Sequence, residues 1–140
     1  MEPRITVISL GVGDLEESLA FYRDGLGWPT EGIVGTEFEG GDVAFFALNN
    51  GLQLALYPKD QIAEDANVDG AVTSSAEFTL GHNVESKEEV DVVMMAAENA
   101  GAEITDSPRD RVWGGYSGHF KDPDDHLWEV VWNPELEIEE

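Results

Sequence analysis

From Ile5 to Val12 apolar and polar positions alternate, as one half-buried strand requires. From Leu15 onward the spacing lengthens to about 3.6, with Leu15, Leu19, Tyr22 and Leu26 on one stripe. Asp14 stands where a helix N-cap is needed, with Glu17 three residues on, and Gly25 and Gly27 stop the helix after about Asp24. Three strands are predicted next, near 30–38, 42–48 and 51–57, the last two joined by a tight hairpin at Asn49-Asn50.

The same succession then repeats. After a segment over 58–74 rich in Asp, Ala, Ser and Gly, which reads as a linker, a strand is predicted from Ala76 to Val84. Ser86-Lys87-Glu88-Glu89 forms a capping box, and Val90, Val93, Met94 and Ala97 share one face of the helix behind it, up to Gly101. Strands near 102–106, 115–121 and 126–132 follow, with Asp122-Pro123-Asp124-Asp125 as the last turn. The fold class is therefore α+β: paired βαβββ modules forming a curved mixed sheet around a concave cleft, one helix per module on the outside. The chain reads as a single domain over 1–140, with module one about 1–60, module two about 75–134 and an acidic tail at 135–140.

Composition narrows what the cleft does. Thirty Asp and Glu against seven Lys and Arg give a formal net charge of −23, which repels nucleic acid and anionic membranes. Scattered over the whole chain, this charge reads as a solvated surface suited to high salt. There is no cysteine, so disulfides, thiolate nucleophiles and thiolate metal sites are excluded. With no apolar run of about 18 residues and no leader pattern at the start, the expected location is cytoplasmic.

Two segments carry a family resemblance. Val12 to Tyr22 (VGDLEESLAFY) resembles the opening helix signature of the vicinal-oxygen-chelate superfamily of glyoxalases, dioxygenases and bleomycin-resistance proteins. Trp113 to Glu129 (WGGYSGHFKDPDDHLWE) resembles that superfamily's closing F-x-D-P-D-G-x-x-x-E hairpin, with Asp125 where Gly is usual. The resemblance covers nearly the whole chain. It implies a homodimer and a cleft in which metal-dependent members hold a divalent ion through the first and fourth strands of each module. The matching positions are Val7, Gln53, Thr79 (or Glu77, two residues away) and Glu129. Valine has no donor atom, and one carboxylate with one neutral amide is a poor set for Zn, Ni or Fe, so no metal or other cofactor is expected.

Strand alternation places Leu52, Leu54 and Leu56 under the first helix and turns Gln53, Ala55 and Tyr57 toward the cleft. It likewise buries Trp128, Val130 and Trp132 and turns Glu129 inward. A two-residue loop at Asn49-Asn50 sets Phe46 opposite Gln53, and a four-residue loop at 122–125 sets Tyr116 opposite Val131, Gly118 opposite Glu129 and His119 opposite Trp128 on the helix side. The cleft lining expected is Val7, Ser9, Phe46, Gln53, Tyr57, Thr79, Tyr116 and Glu129, which suits a small organic ligand. Glu129 is either a general base acting next to a carbonyl, as in lyases and isomerases, or a residual carboxylate bonded to Gln53, Tyr116 or Arg111. Arg109 and Arg111 either capture an anionic head group or pair with surface acids, and Trp113 either stacks on a ligand or packs in the core. His82, His119 and His126 are expected as surface or core histidines that do not converge. The ligand-binding set is Phe46, Gln53, Tyr57, Arg111, Trp113 and Tyr116. Small-molecule binding and metal-assisted turnover by Glu129 and Gln53 remain the two functions to separate.

Overall fold

A computed structural model describes residues 1–70, 76 and 78–138. The chain divides into two compact units, Met1–Val72 and Thr73–Glu140.

In the first unit, β1 (Val7–Val12) leads through the Asp14 cap into α1 (Leu15–Ala20), the Asp14 carboxylate accepting the Glu17 N–H at 3.1 Å. The helix widens into a π-type turn over Phe21–Gly25. β2 (Ile33–Val34), β3 (Val43–Ala47) and β4 (Gln53–Pro58) complete a sheet of order β1-β4-β3-β2, with β1 parallel to β4 and the other pairs antiparallel. β2 is two residues long where the apolar pattern predicts a longer strand. The core lies between sheet and helix: Leu10, Val12, Leu54 and Leu56 of the strands and Leu19 and Tyr22 of the helical segment are buried, and the Tyr22 and Phe46 rings lie 5.9 Å apart.

The segment expected as a linker contains a helix, α2 (Lys59–Ala66), closed by Asn67 in the left-handed conformation. Its residues 71–74 lie outside the described residues. α2 packs on β1 and β4 and lies over the open face of the sheet, opposite α1.

The second unit repeats the strand order as β5-β8-β7-β6, built from β5 (Leu80–Val84), β6 (Glu103–Asp110), β7 (Tyr116–Lys121) and β8 (Leu127–Trp132). α3 (Lys87–Asn99) is capped by Ser86 and buries Val90, Met94 and Ala97 against the sheet. Phe120 and Trp128 stack beneath it, 6.0 Å between centroids.

The β3–β4 and β7–β8 hairpins each differ from expectation by one residue. In the first, Asn50 and Gly51 both take positive φ, and the Leu48 N–H donates to the Leu52 carbonyl, so Gly51 joins the loop. Ala47 is then paired with Gln53, and Phe46 with Leu54. In the second, the Asp122 carboxylate accepts the N–H groups of Asp124 and His126 and contacts His126 Nδ1 at 2.7 Å. These bonds hold His126 inside the turn, and Lys121 pairs with Leu127. Asp125 adopts the left-handed conformation in place of the usual glycine. Since side chains alternate, each one-residue slip moves the partner strand's residues to the opposite face.

Candidate functional site

The slip in register redistributes the expected site residues. Phe46 was expected on the open face; it is buried at 1% exposure among Tyr22 and Trp28 on the helix face, and Phe45 takes the open position beside Ala55. Tyr116 was expected beside Glu129; it pairs with Trp132 on the helix face, and its hydroxyl donates to Asp91 Oδ1 of α3 at 2.7 Å. That bond raises the Tyr116 phenol above its ordinary value. His119 was expected under the helix and is instead directly paired with Glu129 on the open face. Gln53 and Tyr57 keep their expected face, alternating with buried Leu54 and Leu56. Thr79 precedes β5, and the strand neighbour of Glu129 is Gly81; Glu77 lies outside the described residues.

The open face of the first sheet and α2 border an open cavity of about 490 Å³. Val43, Phe45 and Ala55 supply an apolar floor, Ile62 and Ala66 of α2 an apolar wall. Three polar side chains interrupt it: Ser9, Tyr57 and Asp65. The Tyr57 hydroxyl lies 2.8 Å from the Gly40 carbonyl and 3.1 Å from Asp65 Oδ2, and Gln61 Nε2 donates to Asp65 Oδ1 at 2.7 Å. Burial, then the Asp65 bond, pushes the Tyr57 phenol up, so it remains a protonated donor near neutrality.

The open face of the second sheet is polar. β6 pairs with β7 through two register irregularities, which bring Asp106, Arg109 and Arg111 to one region beside His119. Arg111 Nε donates to Ser117 Oγ and its Nη2 to the Ser117 carbonyl, both at 2.8 Å, and Nη2 also donates to Asp106 Oδ2. Arg109 Nε reaches Asp106 Oδ1 at 3.2 Å. The Arg111 bond, helped by His119 and Arg109, holds the Asp106 carboxyl well below the usual carboxylate range despite an opposing effect of burial. His119 Nδ1 lies 2.9 Å from Asp106 Oδ2, leaving Nε2 turned toward Glu129 Oε2 at 3.8 Å. Arg111 and Glu129 therefore belong to one connected chain of polar groups, in which the Arg111 guanidinium is already engaged. Asp106 is the member that sequence reasoning missed; the nearness of two arginines in so acidic a chain was its only signal.

Trp113 sits in the β6–β7 hairpin, half exposed, its indole folded over Gly115: a Cβ there would meet Cη2 at 2.1 Å. The Arg111 N–H donates to the Gly115 carbonyl, and Gly114 takes φ +103° to close this turn.

A transition ion would need donors on paired strands of both sheets. Val7 and Gln53 are register partners on the first sheet, and Gly81 and Glu129 on the second. Valine and glycine contribute no side-chain donor. Among the described residues no three His, Asp or Glu side chains converge in a metal-holding group. This donor chemistry does not fit a Zn, Ni or Fe centre.

Comparison with known proteins places these observations among relatives. The family model described as Glyoxalase/Bleomycin resistance protein/Dioxygenase superfamily matches residues 4–130. The uncharacterized protein YraH of Bacillus subtilis (strain 168) is 27% identical over 134 residues, covering 91% of this chain and 96% of its own. The crystal structure of a glyoxalase-related enzyme from Fulvimarina pelagi is similar with a TM-score of 0.81 and 32% identity, over 98% of this chain and 93% of that one. The genomically encoded fosfomycin resistance protein FosX from Listeria monocytogenes shares the fold, with a TM-score of 0.69 and 24% identity over 95% of each chain.

Proposed function

Because this chain belongs to the glyoxalase/bleomycin resistance protein/dioxygenase superfamily, we propose that it binds a small organic metabolite against an open sheet face, without a transition metal. The observation that carries this reading is the cavity of about 490 Å³ between β1, β3, β4 and α2, within the size range of small-molecule sites and apolar apart from a few polar anchors. Tyr57 is the aromatic anchor, with Phe45 in the place first expected for Phe46. Gln53 and Trp113 are further contact candidates on their own units. The working assembly is a cytoplasmic homodimer, which light scattering coupled to size exclusion tests directly.

The decisive experiment is native mass spectrometry of the purified protein, followed by identification of any retained small molecule. Ile62→Trp narrows the cavity from the α2 side and is expected to abolish retention while leaving the circular dichroism spectrum unchanged. Retention unaffected by this substitution would refute the site.

A second reading, proton abstraction next to a carbonyl by Glu129, is favoured by one observation: the imidazole of His119, oriented by Asp106, faces that carboxylate. This belongs to lyase or isomerase chemistry. Turnover of methylglyoxal hemithioacetal, assayed with and without added nickel or zinc, separates it from binding alone. Metal-stimulated turnover lost in Glu129→Gln and Gln53→Ala would replace the binding proposal with the glyoxalase I type of enzyme.

A further inference from the structure

We propose that the first-unit cavity selects a compact ligand carrying a protonated amine beside an apolar or aromatic body, and rejects carboxylate and phosphate ligands. This rests on the cavity's being the binding site and concerns only the charge of what enters it.

Two observations at Asp65 point the same way. The first is charge. Among the residues lining the cavity, Asp65 is the one that ionises to a charge near neutrality, and no cation is among them. Lys59, at the start of α2, packs its Cβ and Cγ over Gly11, is exposed, and is not among the lining residues. An anion brought against this wall meets the Asp65 carboxylate with no cation among the lining side chains, in a chain of net charge −23. Arg111, the cation first considered for an anionic head group, belongs to the second unit and is already bonded to Asp106 and Ser117.

The second observation is a count of protons. The Tyr57 hydroxyl has a single proton and faces two acceptors, the Gly40 carbonyl and Asp65 Oδ2. It can donate to one of them at a time. The other acceptor has spare capacity that a donor-rich ligand would use and an acceptor ligand would not. An ammonium supplies up to three donors and a positive charge for Asp65, and its bonds to a carboxylate are the stronger, charge-assisted kind. Phe45, about two-fifths exposed on the floor of the cavity, offers the ring face that suits both an apolar body and a nearby cation.

The test uses three probes of similar size on the intact protein: phenethylamine, 2-phenylethanol and phenylacetate. Binding is read by amide chemical shifts of Phe45, Ala55 and Ile62 in 1 M NaCl, where the Debye length of about 3 Å removes the pull of the overall charge and leaves only local contacts. The expected result is phenethylamine binding about tenfold more tightly than phenylacetate, with the alcohol between them. Asp65→Asn should erase the difference and Asp65→Glu should retain it. Equal or tighter binding of phenylacetate at these amides overturns the charge assignment while leaving the cavity as a site. A preference unchanged in Asp65→Asn overturns it as well. If none of the probes moves these amides, the binding-site reading falls, and this inference with it.

Discussion

Asp106 shows how much one side chain organises. It accepts from Arg109 and Arg111 and engages His119, and its carboxyl is held well below the ordinary range chiefly by Arg111. Its stabilising contribution is present above about pH 4, the unfolded carboxyl value, and is lost as pH falls toward the depressed native value. Asp106→Asn should therefore lower the unfolding free energy at pH 7, and urea titrations of the two proteins should converge as the pH drops below about 4; an equal gap at pH 7 and pH 2 would contradict the assignment. Ser18 is the opposite case. Its Oγ is fully buried in α1 without a hydrogen-bond partner. Ser18→Ala removes that unsatisfied group and adds a better helix former, so a gain of about 1 kcal/mol is expected from chemical denaturation. A loss of stability would mean that the hydroxyl has a partner.

At the scale of elements, strands and helices were legible because apolar spacing changes with the type of structure, and both caps were legible because Asp14 and Ser86 precede acidic first turns. The faces of β3 and β7 were not. Register depends on loop length, and each hairpin holds one residue more than its turn motif suggests: Gly51 in the first, His126 in the second. Gln53, Tyr57 and Glu129 kept their faces since helix-facing leucines and tryptophans flank them, whereas Phe46 and Tyr116 were placed only by reference to those loops. α2 was hidden in a segment whose composition resembles a linker. The Asp122 carboxylate, almost wholly buried, is what extends the second loop. Asp122→Ala should cost about 1–3 kcal/mol in stability, and the β7–β8 amides should lose hydrogen-exchange protection ahead of the first unit. Gly118 lies against Met94 Cε and the Asp106 carbonyl, which an added Cβ would approach to 2.9 and 3.0 Å. Gly118→Ala is expected to destabilise by about 1–3 kcal/mol through overpacking between β7 and α3, measured by the thermal midpoint.

For the molecule as a whole the acidic excess dominates behaviour in solution. At −23 the native state is strained by self-repulsion in dilute buffer and relieved when salt shortens the screening length. The melting temperature should rise steeply between about 0.05 and 2 M KCl, and a flat profile would contradict adaptation to concentrated salt. No described helix is long and apolar enough to cross a membrane. The repeated strand order has a different consequence. Beneath each sheet, leucines, tryptophans and helix contacts supply most of the core, while the far side of the pleat carries different chemistry in the two units. One copy of the plan carries oily and aromatic groups there, the other a string of ionic ones. The same strand order thus presents an oily, aromatic face in one unit and an ionic face in the other.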